Sequence, residues 1–178
     1  MANIVYIGTS LDGYIAAADG TLDWMETVPN PEGSDLGFSR FMERIDAVVM
    51  GRKTFETVVG FGFGWHYPKP GIILSSTLDH PPAGFDGPIE FMQGQPSDIV
   101  EATTARGFSN LYIDGGLTIQ RFLQEDLIDE LIITEIPILL GGGDRLFGKL
   151  DQSLVFELIG TEVLLNQLVK KHYRRKRM

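Results

Sequence analysis

Short apolar segments rich in β-branched residues alternate along the chain with segments of helical length. The short segments predict eight strands, at residues 3–9, 47–50, 71–74, 89–92, 111–113, 130–135, 154–162 and 168–174. Several of them are apolar at every position, as expected of strands covered on both faces. The alternation therefore predicts an α/β protein with a largely parallel sheet.

Four segments between these strands predict helices, at residues 35–44, 53–58, 97–106 and 117–125. Ser97 begins the third helix as an N-cap ahead of acidic residues, and Gly107 follows its last residue as a C′ glycine. Only a few residues near Leu165 and Asn166 separate the last two strands. A connection this short predicts an antiparallel hairpin on the otherwise parallel sheet.

Composition is ordinary for a folded domain. Hydrophobic residues make up 43% and charged residues 22% of the 178 residues, and no Pro/Ser-rich linker divides the chain. We therefore expect residues 1–178 to form a single domain. The chain has no cysteine, which excludes disulfides, thiol nucleophiles and cysteine-based metal sites.

Neither the N-terminal sequence nor the hydropathy of the chain predicts a membrane segment. Residues 1–8 lack a basic region, and their apolar run is too short for a signal peptide. The longest apolar stretch, residues 131–140, is interrupted by Glu135 and Pro137 and is too short to cross a bilayer. We expect a soluble, cytoplasmic protein with no membrane partner.

Charge is distributed unevenly. The formal net charge is −9, yet six of the 15 Lys and Arg residues lie between positions 170 and 177. The remaining 9 basic and 24 acidic residues give −15 for the rest of the chain, which repels nucleic acid. Two interpretations of the basic segment are open: a phosphate or nucleic-acid patch, and a solvated C-terminal end, which we favour. We expect no nucleic-acid partner.

The end of the second predicted strand carries the most informative motif, Met50-Gly51-Arg52-Lys53-Thr54. A glycine there allows close backbone approach, and two cations stand where a helix begins. The free N–H groups and positive dipole of a helix N-terminus favour an anion at such a junction. The alternative is a capped helix with two exposed basic residues.

Two further strand ends have similar chemistry. Ser75 and Ser76 follow the predicted strand at 71–74, where paired hydroxyls either donate to a phosphate or form a turn. Asp114-Gly115-Gly116 joins the strand at 111–113 to a helix, and its glycines expose backbone N–H groups to a pyrophosphate. The pattern is not G-x-G-x-x-G. Three strand ends suited to anions in one short chain indicate a dinucleotide.

The loop after the first strand reads Ser10-Leu11-Asp12-Gly13-Tyr14-Ile15-Ala16. Two interpretations are open for it. The segment lies across a bound nicotinamide and excludes water, or Asp12 and Gly13 simply form a β-turn.

Taken together, these motifs resemble the dihydrofolate reductase-like family, in the branch of the RibD C-terminal domain, the reductase of riboflavin biosynthesis. Ser-Leu-Asp-Gly, Met-Gly-Arg-Lys-Thr-Phe-Glu, Leu-Ser-Ser, Asp-Gly-Gly and Pro-Ile-Leu-Leu-Gly-Gly occur in the family's order over nearly the whole chain. The resemblance implies a mixed, mostly parallel eight-stranded sheet flanked by helices, with a C-terminal antiparallel hairpin. It also implies NADPH as the cofactor.

The resemblance also implies roles for individual residues. The expected cofactor phosphate contacts are Gly51, Arg52, Lys53 and Thr54, with Leu74, Ser75 and Ser76 beside the 2′-phosphate. The pyrophosphate is expected on Gly115, Gly116, Leu117 and Thr118, and the nicotinamide beside Ile15 and Ala16.

Reduction of a C=N bond needs a proton as well as a hydride, and a carboxyl whose pKa is raised by burial is the usual source. Asp35 precedes Met50 by the spacing that the resemblance gives to the substrate-binding carboxylate, and Thr134 matches its supporting hydroxyl. The alternative for Asp35 is a solvent-facing helix cap. Asp114 is interpreted as structural. The three histidines have no ligand spacing, so no metal site is expected.

The resemblance implies an NADPH-dependent reductase of a pyrimidine- or pteridine-like substrate, closest to 5-amino-6-(5-phosphoribosylamino)uracil reductase. The alternatives are a dihydrofolate reductase and a non-catalytic nucleotide-binding protein that keeps the fold. Phe61, Phe63, Trp65, His66 and Tyr67 form an aromatic cluster that stacks on a heterocycle, packs on the core or meets a dimer partner. A homodimer is expected because relatives often pair.

Overall fold

The computed structural model describes residues 1–177. Its strands, in chain order β1 to β10, are Ala2–Ser10, Tyr14–Ala16, Ala47–Gly51, Gly71–Leu74, Ile89–Met92, Asn110–Asp114, Glu130–Ile136, Asp144–Arg145, Phe156–Leu164 and Leu168–Arg175. Its helices, α1 to α4, are Phe38–Met42, Arg52–Gly60, Pro96–Ala105 and Gly116–Gln124, and a 3-10 helix spans Asp23–Thr27.

Eight of the strands form one mixed sheet in the order β5-β4-β3-β6-β1-β7-β10-β9. The first six strands in this order pair in parallel, whereas β10 pairs antiparallel with both β7 and β9. Leu165 and Asn166 form the tight turn between β9 and β10, both at positive φ. The predicted eight-stranded, mostly parallel sheet and its terminal hairpin are thus confirmed.

Alternate residues of each central strand enter one of two cores. In β3, Val48 packs in the core that holds Phe41 and Phe55, beneath α1 and α2. Its neighbour Val49 packs in the core that holds Ile99 and Phe122, beneath α3 and α4. Because both faces of β3 are buried, the strand is apolar throughout, which explains why its sequence shows no polar alternation.

All four helices differ from their predicted bounds by one to three residues, and for α1 and α3 the structure shows the cause. Helix α1 spans only Phe38–Met42, because Gly37 before it has φ +89° and the Asp35 carboxylate accepts bonds from backbone N–H groups in this turn. Helix α3 begins at Pro96, and the predicted Ser97 cap is wrong. Gln95 caps this helix, and the Asp98 carboxylate accepts a bond from the Gln95 N–H in return.

The basic residues near the C-terminus are not a solvated end, so that prediction is wrong. Arg175 donates to both carboxylate oxygens of Asp126, at 2.6 and 3.0 Å, and its side chain is only 10% exposed. Arg177 pairs with Asp129, and Lys171 pairs with Glu135 on the neighbouring strand. These ion pairs fasten β10 to β7 and to the turn before it.

The sequence did not predict the small antiparallel sheet formed by β2 and β8, which pairs Tyr14 with Arg145 and Ala16 with Asp144. These strands have three and two residues, too few for a hydropathy pattern. The sheet crosses near the start of α4, where the Arg145 carbonyl accepts a bond from the Gln120 amide at 2.8 Å. It therefore places the loop after β1 against the helix that the Gly-Gly motif begins.

Candidate active site

Two helices begin side by side at the carboxyl edge of the main sheet. Strands β3 and β6 are hydrogen-bonded neighbours, with Met50 opposite Asp114, and α2 and α4 begin directly after them. The starts of the two helices touch. A Cβ on Gly51 would lie 2.9 Å from Thr118 Oγ1, and a Cβ on Gly115 would lie 2.2 Å from Thr54 Oγ1. Four of the predicted cofactor residues therefore come together.

This pair of helix starts is suited to a polyanion. Each helix presents backbone N–H groups that have no partner in the preceding turn, together with the positive end of its dipole. Neither helix has a side-chain cap that occupies those groups. Gly115 has φ +88°, a conformation that other residues rarely adopt, so the motif requires glycine here. The arrangement can receive two adjacent phosphate groups.

A cluster of cation and hydroxyl groups lies beside the first of these helices. Strand β4 adjoins β3, with Leu74 opposite Gly51, so the residues after β4 come close to the start of α2. Arg52 donates to Thr77 Oγ1 at 3.2 Å. Ser75 Oγ accepts bonds from the N–H groups of Thr77 and Leu78, which forms the turn. Ser76 is exposed on that turn. Arg52, Ser76 and Thr77 can thus receive a further phosphate.

The β2 strand covers the start of α4. A Cβ on Gly116 would lie 2.8 Å from Ile15 Cδ1, which puts the Ile15 side chain directly against the Gly-Gly motif. Gly143 approaches the Ala16 carbonyl so closely that a Cβ there would lie 2.0 Å from its oxygen. Lys53 reaches the same segment and pairs with Asp144 at 2.8 Å. Leu117, the second residue of α4, is 71% exposed.

Asp12 holds this covering segment in place. Its carboxylate accepts bonds from the N–H groups of Leu140 and Gly141, at 3.1 and 2.8 Å, and from the Ser10 hydroxyl at 2.6 Å. These donors lower the pKa of Asp12 to about 2, with the Ser10 bond as the largest cause. Asp12 is therefore an anionic anchor between two loops, which adds a contact to the predicted Asp-Gly turn.

Asp35 does not have the properties expected of a proton donor. It is exposed, and its two oxygens accept bonds from the N–H groups of Gly37 and Ser39, both at 2.9 Å. Hydrogen bonds from Ser39 are the main cause that lowers the pKa of Asp35 to about 2. The expected burial and raised pKa are thus absent, and the geometry is that of the alternative, a helix cap.

Thr134 is buried in β7, only 8% exposed, on the same sheet face as Ile132. Within residues 1–177 no hydrogen bond joins it to Asp35. The structure therefore does not bring the two predicted catalytic residues together as a bonded pair.

Asp114 is the carboxylate that lies at the junction of these elements. It ends β6, and its Oδ1 accepts a bond from the Gly115 N–H at 2.8 Å. Its Oδ2 lies 3.4 Å from the hydroxyl of Tyr67. Burial is the dominant cause and raises the pKa of Asp114 above its ordinary value, against the hydrogen bonds that lower it. Its place directly before the Gly-Gly pair was the sequence signal that could have identified it.

Within the aromatic cluster, Trp65 packs against Tyr67 at 4.8 Å between ring centroids, whereas Phe63 is exposed. Tyr67 is partly buried and packs on Phe38 at 6.3 Å between ring centroids, while Trp65 fills the space above Gly71 and Gly87. Phe63 lies outside this packing and is 82% exposed. Tyr67 and Phe38 therefore form an aromatic wall beside Asp114, where a flat ring can be held.

No group of three or more His, Cys, Asp or Glu residues within residues 1–177 is arranged to hold a metal ion. In the same part of the chain, no helix combines the length and the apolar character that a bilayer crossing needs.

Sheet order, helix placement and the paired helix starts define an α/β protein of the dihydrofolate reductase-like class. Within that class, the sequence model of the RibD C-terminal domain matches residues 3–170. The chain belongs to the RibD C-terminal domain family, as its motifs predict.

Two relatives match almost end to end. The uncharacterized protein YwjB of Bacillus subtilis (strain 168) is 35% identical over 175 residues, which is 97% of each chain. A crystallised protein of Shewanella sp. PV-4, designated a riboflavin biosynthesis protein, is 52% identical with a TM-score of 0.96, over 99% of this chain and 100% of its own. Dihydrofolate reductase from Enterococcus faecalis, complexed with NADP(H), shares the fold at 22% identity and a TM-score of 0.67, covering 99% and 97%.

Proposed function

We propose that this protein is an NADPH-dependent reductase of a pyrimidine- or pteridine-like heterocycle, with residues 1–178 acting as one cytoplasmic domain. The observation that carries the proposal is the contact between the starts of α2 and α4, through Thr54 and Gly115. Membership of the RibD C-terminal domain family and the designation of the Shewanella relative support the riboflavin-type chemistry.

The residues present fit NADPH. The paired helix starts offer N–H groups to the pyrophosphate, and the cluster of Arg52, Ser76 and Thr77 offers a cation and two hydroxyls to a 2′-phosphate. Ile15 and Ala16 would border a bound nicotinamide, which supplies a hydride when the cofactor is bound. Lys53 is shared between this site and Asp144.

The proton is proposed to come from Asp114 and not from Asp35. A carboxyl with a raised pKa keeps its proton closer to neutral pH than an exposed one does, and is therefore the better donor. Tyr67 is bonded to it and contributes to the aromatic wall against which the heterocycle would lie. Thr134 is proposed to meet the polar edge of the substrate from β7.

Titration calorimetry with NADPH and NADH tests the cofactor part of the proposal. We expect micromolar NADPH binding, about ten-fold weaker binding of NADH, and loss of that preference in Arg52→Ala, because the guanidinium pairs with the 2′-phosphate. Arg106→Ala is the matched control, since Arg106 lies at the end of α3 and pairs with Glu90. It should leave both affinities unchanged.

Absence of binding by either nucleotide would overturn the reductase proposal. Tight NADPH binding without oxidation in the presence of any pyrimidine or pteridine tested would favour the non-catalytic nucleotide-binding protein instead.

We further propose a homodimer formed through the terminal hairpin. Strand β9 is one edge of the sheet, and Leu158, Ile159 and Val163 on it are 52%, 38% and 66% exposed. An edge strand of nine residues that exposes apolar side chains is a surface suited to pairing. Val163→Asp should convert the dimer to a monomer in light scattering after gel filtration. Phe63→Asp should leave the dimer intact. Phe63 is exposed in the loop between α2 and β4, and β4 lies near the opposite edge of the sheet from β9. A monomeric wild-type protein would contradict this proposal.

A further inference from the structure

A cavity of about 440 Å³ lies between α1 and the terminal hairpin. Its walls come from Gly37 and Arg40 on the α1 side, from Tyr6 on β1, and from Thr161 and Lys170 on the hairpin. None of its lining residues belongs to the candidate cofactor set. The volume is within the range, about 300–1,000 Å³, that small-molecule sites have.

Basic side chains are concentrated around this cavity although the chain carries a net charge of −9. Arg40, Arg44, Lys170 and His172 all line it, and Glu162 is the only carboxylate among the lining residues. Beneath the floor, Glu130 accepts from Arg44 at 3.0 Å and from His172 at 2.7 Å. The positive charge of Lys170 is one of the causes that lower the pKa of Asp35.

Arg40 also lines the cavity, but it takes no part in this network of ion pairs. Within residues 1–177 its guanidinium makes no ion pair and no side-chain hydrogen bond. The hydroxyl of Thr161 on the opposite wall likewise has no partner in the described part of the chain. A guanidinium and a hydroxyl that line the same cavity without a protein partner are an incomplete set of donors for an oxyanion.

Lys170 is the second donor, and it is held by an exchangeable partner. Its Nζ donates to the Leu36 carbonyl at 3.0 Å, which fixes the ammonium at the cavity wall. Its other partner is the carboxylate of Glu162 at 2.9 Å, and that side chain is 58% exposed against 16% for Lys170. An exposed carboxylate on an anchored ammonium is easily displaced, because water can solvate it when it leaves.

We propose that this cavity binds the phosphate group of a small anionic ligand, with Arg40 and Lys170 as its cations and Thr161 as a neutral donor. In the ligand-free protein Glu162 occupies the place of one phosphate oxygen at Lys170. The site is independent of the proposed reductase function, because it uses no residue of the cofactor set.

Amide chemical shifts in ¹H–¹⁵N spectra test the proposal, with inorganic phosphate and glycerol 3-phosphate as the two probes. Saturable shifts are expected at the amides of Gly37 and Thr161. Arg40→Gln should raise the midpoint at least about five-fold, because one charge-assisted contact is lost. Glu162→Gln should lower it about two- to five-fold, because the internal competitor is removed. Arg106→Ala removes one positive charge at a residue that does not line the cavity, and should leave the midpoint unchanged.

The contrast between the Arg40 and Arg106 variants separates a real site from general attraction of anions, because each variant removes one positive charge and only Arg40 lines the cavity. No saturable shift at Gly37 and Thr161 with either probe overturns the proposal, as does an unchanged midpoint in Arg40→Gln. A lower midpoint for glycerol 3-phosphate assigns the cavity to a phosphorylated small molecule, and equal midpoints assign it to free phosphate. None of these measurements depends on nicotinamide binding. The phosphate-site proposal can therefore be overturned while the reductase proposal stands, and the reverse also holds.

Discussion

Asp114→Asn is expected to lower the rate of substrate reduction by about 100-fold or more while NADPH binding stays within about two-fold of wild type. The asparagine keeps the shape of the side chain and can still accept a bond from the Gly115 N–H, so the start of α4 is preserved. It cannot deliver a proton. The measurement is NADPH oxidation in single-turnover mode with calorimetry of the cofactor alongside.

The pH dependence gives this variant a second signature. Burial raises the pKa of Asp114, so the donating form persists above the range of an ordinary carboxyl, and the wild-type rate should fall as pH rises through that value. The asparagine variant should lose this limb of the profile. Asp98→Asn, which alters a capping carboxylate on α3, is the control and should retain it.

Stability should change in the opposite sense to activity. A carboxyl whose folded pKa is raised contributes stability below its unfolded pKa and loses it as pH rises through the folded one. An asparagine side chain at this position avoids that loss, so Asp114→Asn is expected to resist urea better than wild type near neutral pH, with the gain fading in acid. A variant that loses both activity and stability would show that Asp114 is structural.

Gly115→Ala is expected to weaken NADPH binding by about 100-fold or more, because two separate constraints act at this position. The residue has φ +88°, and a Cβ would lie 2.2 Å from Thr54 Oγ1. The methyl group can be accepted only if the starts of α2 and α4 move apart, which displaces both sets of N–H groups from the phosphates. Calorimetry of NADPH measures the effect.

Gly107→Ala is the matched control for this variant. Gly107 has φ +87°, close to the φ of Gly115, but a Cβ there meets nothing within 4 Å. Both alanines must adopt a positive φ, and only the one at position 115 crowds the site. If the two variants bind NADPH equally well, contact between the helix starts is not what forms the cofactor site.

The central strands could be predicted because both of their faces are buried. Val48 and Val49 enter different cores, so β3 is a short apolar run, and its length of five residues favours a strand over a helix. The cofactor motifs were equally accessible, because each is contiguous and lies at a strand end. Gly51 and Gly115 needed only the parallel pairing of β3 with β6 to become neighbours.

The proposed acid, Asp114, was harder to predict because its properties come from residues distant in sequence. Asp35 and Asp114 are both aspartates near a helix start. What separates them is burial, together with a tyrosine 47 positions from Asp114. The prediction for the basic segment was wrong for the same reason, because Arg175 pairs with Asp126, which lies 49 positions away in the sequence. Pair contacts of this kind follow from the tertiary fold and leave no local signal.

The sheet order has a consequence for how the chain folds. Strand β10 lies inside the sheet, between β7 and β9, although it follows both in the chain. Until β10 docks, β7 is an open edge with the apolar segment Leu131, Ile132 and Ile133, and β9 has no partner at all. A chain paused before this step exposes a strand suited to intermolecular pairing. The ion pairs of Arg175 and Lys171 stabilise the docked β10, and thereby oppose aggregation during synthesis. At that stage β10 must pair with β7 before a strand of a second chain does.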